Sequence, residues 1–210
     1  MPFKAMISAS IAIGWLVFAS SQSWATEQLR IVAFGDSLSA GYELPERDGF
    51  SKQLEAALKA KGFDVVVENS AVSGDTSSGG LERLDWSIAD GTDLVVLELG
   101  ANDALRGIDP ALTRSNIDQM IQRLKARNIK VVLAGMLAPP NMGADYAEPF
   151  NAIYPELAAQ HQVVLYPFFM DGVITKSDLK LNDGLHPNAK GVAVIVAGIL
   201  PVIEAELNKK

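Results

Sequence analysis

The feature that most constrains this chain is a strict alternation of two hydrophobic periods. The segments LRIVAF (29–34), VVVEN (65–69), LVVLEL (94–99), KVVLAGM (130–136) and VVLY (163–166) are short runs rich in Val, Ile and Leu with no polar alternation. That is the pattern of strands buried on both faces of a parallel sheet. Between them lie helical stripes: Phe50, Leu54 and Leu58; then Ile117, Met120, Ile121 and Leu124; then Ile153, Leu157 and Ala158 after Pro149. A last helix is expected from about Asn188 to Leu207. A β-α-β alternation closes only with right-handed crossovers and helices on both faces. The expectation is an α/β fold: a three-layer α/β/α sandwich on a five-stranded parallel sheet, in the flavodoxin-like order 2-1-3-4-5. With no linker, repeat or low-complexity tract, residues 26–210 read as a single domain.

Residues 1–25 stand outside this pattern. Lys4 is followed by an apolar stretch from about Met6 to Ala19 and then by Ser23-Trp24-Ala25, small residues flanking a large one. This is the layout of a secretory signal peptide cleaved after Ala25, and the apolar run is short of the ~20 residues that span a bilayer. The expected product is an exported protein, periplasmic or secreted from a bacterium, with no membrane anchor after cleavage.

Composition narrows the chemistry. Eighteen Lys and Arg against 25 Asp and Glu give a net charge of −7 with no basic run, so a nucleic-acid partner is not expected. The absence of cysteine removes disulfides, thiolate zinc sites and a cysteine nucleophile. With only two histidines, His161 and His186, an imidazole base must be one of these, and a zinc site would have to lean on carboxylates.

Ligands of open parallel sheets bind beyond the carboxyl ends of the strands, and four polar, glycine-bearing loops fall there. Strand one ends in Gly35-Asp36-Ser37, strand two leads into Ser73-Gly74-Asp75, strand three ends in Gly100-Ala101-Asn102-Asp103, and Asp183-Gly184-Leu185-His186 follows strand five. Ser37 sits at a strand-to-helix turn where its hydroxyl can project, and a serine nucleophile needs an adjacent base. His186, three residues after Asp183, suits that role with the carboxylate on its other nitrogen. The two residues by themselves equally fit a loop histidine with a local Asx-type contact. Acyl transfer also needs donors aimed at a developing oxyanion, which the N–H groups of Ser37 and Gly74 and the amide of Asn102 can supply. Taken singly, Gly74 reads as a turn residue and Asn102 as a helix cap. His161 reads as a surface residue at a helix C-terminus.

The blocks GDSLSAGY (35–42), SGDT (73–76), GANDALRG (100–107) and DGLHPN (183–188) resemble, in order and spacing, the four blocks of the SGNH (GDSL) hydrolases. Within them the chain is similar to the bacterial exported thioesterase I, lysophospholipase L1 and arylesterase group, and the similarity continues through IYPEL (153–157) and LYPFFM (165–170). The resemblance implies Ser37 as nucleophile, Asp183 and His186 as the rest of the triad, and Ser37, Gly74 and Asn102 as the oxyanion hole. It implies a serine esterase that cleaves carboxylic esters and thioesters through an acyl-enzyme, without metal or other cofactor. The segment Leu137 to Gly143 follows the group's pattern only loosely. In that group it helps line the acyl pocket, which makes Leu137, Ala138, Pro139 and Met142 the candidate substrate-binding residues.

Asp36, Asp75 and Asp103 invite a carboxylate metal or glycosidase site, but they lie on separate loops and are expected to hydrogen-bond loop backbone instead. An α/β-hydrolase elbow is disfavoured because Ser39 stands where G-x-S-x-G needs its second glycine. A nucleotide-binding module lacks both glycine-rich phosphate motifs. A non-catalytic exported ester- or carbohydrate-binding protein on the same scaffold is the remaining alternative, and the intact Ser37, Asp183 and His186 argue against it.

Overall fold

The computed structural model describes residues 28–209 together with Met1, so apart from Met1 the segment read as a signal peptide lies outside the described residues. The five strands are β1 (Leu29–Gly35), β2 (Val65–Asn69), β3 (Leu94–Glu98), β4 (Lys130–Ala134) and β5 (Val164–Tyr166). They pair in parallel in the order β2-β1-β3-β4-β5. The register sets Gly35 beside Glu98 and Glu98 beside Ala134, which aligns the carboxyl ends of the three central strands. Burial follows position: β3 is buried along its whole length, whereas the edge strands β2 and β5 are only partly covered.

Among the described residues seven α-helices complete the layers: α1 (Ser37–Ala40), α2 (Phe50–Ala60), α3 (Ser77–Ser87), α4 (Ala101–Leu105), α5 (Pro110–Ala126), α6 (Ala144–His161) and α7 (Ala189–Leu207). Helices α2 and α7 pack together on one side, and α3, α5 and α6 form the other. Helix α2 buries Phe50, Leu54 and Leu58, and α5 buries Ile117, Met120, Ile121 and Leu124, the stripes read from the sequence. Asp109 and Asn188 cap α5 and α7 by accepting backbone N–H groups.

Two helices depart from the sequence reading. Helix α6 starts at Ala144 and runs through both Pro149 and Pro155. Each proline removes one backbone hydrogen bond and costs roughly 3 kcal/mol in a helix interior. The buried face of Phe150, Ile153, Tyr154 and Leu157 offsets that loss. Helix α3 was not legible as a helix, because Ser77-Ser78-Gly79-Gly80 combines weak helix formers with little apolar periodicity. It forms because Thr76 caps it and because Ser77 is anchored from outside: Asp103 accepts from the Ser77 N–H at 2.8 Å and from its hydroxyl at 2.5 Å.

Candidate active site

The four loops meet beyond the carboxyl ends of β1 to β5. At the end of β1 the backbone makes an abrupt strand-to-helix turn, and Ser37 is the first residue of α1. Gly35 is dictated by crowding: a Cβ there would stand 2.4 Å from both the Glu98 carbonyl oxygen and Glu98 Oε2. Asp36 is fully buried and caps α1, its Oδ1 accepting from the Leu38 N–H at 3.0 Å.

His186 arrives on the loop before α7. Its Nε2 lies 2.8 Å from Ser37 Oγ, and its Nδ1 lies 2.6 Å from Asp183 Oδ2. Asp183 also makes the Asx-type turn, its Oδ1 accepting from the N–H groups of Leu185 at 2.8 Å and His186 at 3.0 Å. The local contact and the relay thus coexist on two oxygens of one carboxylate. The Leu185 N–H, followed by the imidazole, holds the Asp183 carboxyl at about 2, below its usual range. This tautomer, with Nδ1–H on the carboxylate and Nε2 open to the hydroxyl, is the one that a general base requires.

The proposed donors, at Ser37, Gly74 and Asn102, line the same cleft as His186. Gly74 has φ +85°, a conformation that glycine adopts without strain, and its carbonyl accepts from Arg106 Nη2 at 2.9 Å. No protein acceptor among the described residues engages the N–H of Ser37 or Gly74. Asn102 is not a helix cap: Gly100 precedes α4 and Asn102 is its second residue. One proton of its amide goes to Asp36 Oδ2 at 3.0 Å, which orients the group and leaves the other proton for a ligand.

Asp75 and Asp103 brace these loops. Asp75 accepts from Arg83 Nε at 2.6 Å, and the same guanidinium donates to the carbonyls of Ser70 and Gly35, tying the first two loops together. Asp103 receives Ser77 and also the Thr113 hydroxyl at 3.0 Å. No group of three or more His, Asp or Glu poised to hold a metal occurs among the described residues.

Glu98 belongs to this site and was not singled out in the sequence. It is fully buried at the end of β3, and its Oε2 accepts from the Asp36 N–H at 3.2 Å and the Ser39 hydroxyl at 2.8 Å. Its Oε1 is buried without a partner. Burial, and after it the neighbouring Asp36, pushes this carboxyl well above the carboxylate range. Burial likewise raises Asp36 to about 6, against the opposing pull of the Leu38 N–H and the Asn102 amide. The signal in the sequence was a lone glutamate inside LVVLEL.

A cleft of about 890 Å³ opens over Ser37 and His186, and it is predominantly apolar. Leu137, Ala138 and Pro139 line it, but Met142 does not. Residues 140–142 form a 3-10 turn, in which successive side chains diverge by about 120°, so Pro140 and Asn141 face the cleft. Met142 instead points towards Gly107, its Cε 3.6 Å from where a Cβ on that glycine would stand. Leu105, Met136, Tyr42, Ile174 and Leu185 also line the cleft, and the Tyr42 ring packs against that of His186.

His161, at the end of α6, is less exposed than expected: its side chain is 12% accessible and its Nε2 contacts Asp118 Oδ1. It lies before β5, at the amino edge of the sheet, away from Ser37.

A serine, an imidazole and a carboxylate in hydrogen-bonded series, at the carboxyl edge of a parallel sheet, define a serine hydrolase by role and geometry. Comparison with known proteins agrees. The family model described as "GDSL-like Lipase/Acylhydrolase family" matches residues 33–194, and the chain belongs to that family. It is 46% identical over 169 residues to an arylesterase of Vibrio mimicus, covering 80% of this chain and 84% of the relative. It is 39% identical over 175 residues to "Thioesterase 1/protease 1/lysophospholipase L1" of Escherichia coli K12, covering 83% and 82%. Among solved structures, the psychrotrophic esterase EstA from Pseudoalteromonas sp., in a form inhibited by monoethylphosphonate, superposes with a TM-score of 0.80 at 35% identity, covering 86% of this chain and 99% of that one.

Proposed function

We propose that this hydrolase is an esterase of broad acyl and leaving-group tolerance, acting on aryl esters, short to medium acyl esters and thioesters, with Ser37 as its nucleophile. The observation that carries this reading is the unbroken series from Ser37 Oγ through the His186 ring to Asp183 at the floor of an apolar cleft. In the acylation step the Ser37 proton passes to His186 Nε2 while Oγ bonds to the substrate carbonyl carbon. The carbonyl π pair moves onto oxygen, where the N–H groups of Ser37 and Gly74 and the Asn102 amide receive it. Asp183 keeps its charge and stabilises the imidazolium. Collapse of the tetrahedral species breaks the bond to the leaving group, which takes the proton from Nε2. Water then repeats the sequence on the acyl-enzyme and regenerates Ser37.

Because the departing atom must be within reach of Nε2, the leaving group lies on the His186 side, and the acyl chain extends towards Leu105, Leu137, Ala138 and Pro139. Those walls are apolar and discriminate weakly, at ~1–3 kcal/mol per methylene. The test is a fluorophosphonate probe on the purified protein: stoichiometric labelling that disappears in Ser37→Ala supports the reading, and labelling that persists in that variant overturns it.

The reading includes export. Residues 1–25 act as a cleaved signal and the enzyme works in the periplasm or outside the cell, as a single domain from Thr26 onward. No helix among the described residues is long and apolar enough to cross a membrane. Amino-terminal sequencing of exported protein is expected to start at Thr26, and a start upstream of Ala25 contradicts this.

A further inference from the structure

The relay accounts for both nitrogens of His186 but not for what holds the plane of the ring. Nδ1–H donates to Asp183 and Nε2 accepts from the Ser37 hydroxyl; both bonds act at the edge of the ring and leave its two faces to their packing partners. One face of the ring is covered by Tyr42, whose centroid lies 4.4 Å from that of His186 with the planes 33° apart. Tyr42 reaches this place through the turn that presents the nucleophile. Gly41 ends α1 in the left-handed conformation, and the Tyr42 N–H returns to the Ser37 carbonyl at 3.3 Å. Nucleophile and aromatic ring are therefore fixed to each other by four intervening residues at most, whereas His186 comes from a loop 149 residues away in sequence.

From this geometry we propose that Tyr42 is a positioning residue for the general base: its π face sets the ring plane and favours the imidazolium that forms as Ser37 gives up its proton. The inference rests on the role given to His186 above. A cation against an aromatic face is stabilised by the ring quadrupole, and more so where water is partly excluded. His186 is such a site, since its side chain is only 19% accessible. The charged groups that face the imidazole are Asp183 from its own loop and Asp36 from the turn after β1, and both also favour the cation. Tyr42 is exposed and lies outside the hydrogen bonds that tie Asp183 to His186 and Asp36 to Asn102, so its replacement leaves those bonds in place.

The experiment is an NMR titration of the His186 ring in a His161→Ala background, which leaves a single histidine, combined with steady-state kinetics on acetyl esters. Tyr42→Leu keeps apolar bulk and removes the π face. It is expected to move the His186 NMR titration and the acid limb of kcat/KM together to lower pH, and to reduce kcat about 3–10-fold with KM nearly unchanged. Tyr42→Phe restores all three to within about twofold, because the ring rather than the hydroxyl acts. An unchanged His186 titration in Tyr42→Leu overturns the proposal, as does a rise in KM alone, which would make Tyr42 only a wall for substrate. A Tyr42→Phe variant as impaired as Tyr42→Leu also overturns it, because the hydroxyl would then be the operative group. The titration needs no turnover, so failure of this proposal is separable from failure of the esterase reading, which the probe on Ser37→Ala tests.

Discussion

The molecule contains two histidine–aspartate pairs, and they differ in almost everything except composition. His161 meets Asp118 at the amino edge of the sheet, where α6 ends and β5 begins, and the nitrogen that makes the contact is Nε2. His186 meets Asp183 at the carboxyl edge through Nδ1, which leaves Nε2 facing Ser37. A His–Asp contact is therefore no marker of catalysis by itself. What separates the pairs is which nitrogen the carboxylate occupies and what stands before the other, and the carboxyl edge of the sheet is where the Ser37 turn lies.

The largest contrast is expected in activity. Ser37→Ala and His186→Ala should each reduce kcat by roughly 10⁴-fold or more, the scale at which triad members act as a unit. His161→Ala should leave kcat/KM near that of the parent and lower Tm by about 2–4 °C at most, as loss of one partly exposed pair does. Comparable activity in the two histidine variants would erase the distinction between the pairs.

Next in size is the oxyanion donor proposed beside the carboxyl-edge pair. Asn102→Ala should lower kcat by roughly 10²–10³ with a smaller change in KM. A loss confined to KM would place Asn102 in substrate binding rather than in the hole.

A smaller effect concerns the acyl arm of the cleft. Ala138→Trp should depress turnover of hexanoyl and longer esters well beyond its effect on acetyl esters, whereas Met142→Ala should leave the chain-length profile unchanged. The profile of each variant on a graded p-nitrophenyl ester series decides this, and an unaltered profile in Ala138→Trp removes these residues from the acyl site.

The smallest effect is on stability, and it comes from a carboxylate pair with no counterpart at the other edge. Asp36 is raised from 3.8 to about 6, so in that window the folded chain keeps a proton that the unfolded chain has released. Stability therefore falls as pH rises through the window, and Glu98, shifted in the same direction, extends the fall upward. Glu98→Gln keeps an acceptor for the Asp36 N–H and the Ser39 hydroxyl but cannot ionise. Its Tm should decline less steeply than that of the parent as pH rises from about 4 through 6 and above. An equally steep decline would place the pH dependence elsewhere.

The four loop blocks were legible because their chemistry is local: a glycine, a short polar side chain and a strand end identify a turn wherever they occur, and parallel topology collects such turns on one edge. The central strands and the stripes of α2 and α5 were legible for the same reason, since periodicity is a property of neighbouring residues. Glu98 was harder, because a carboxylate in an apolar strand announces that it is buried without saying what it meets. Helix α3 was obscured by its glycines, and its start depends on Asp103, which is 26 residues further along the chain from Ser77.

By itself, then, the sequence determined the layer architecture, the strand order and the loops that meet at the carboxyl edge, because each rests on interactions between residues near in sequence or on the handedness of the crossovers. Only the tertiary structure decided orientation. It turned Pro140 and Asn141 towards the cleft and Met142 away, set the Tyr42 ring against His186, and gave Asn102 to Asp36 rather than to a helix end. Side-chain direction depends on the φ and ψ of a single turn and on partners far along the chain, and neither is written in the periodicity or spacing of residues.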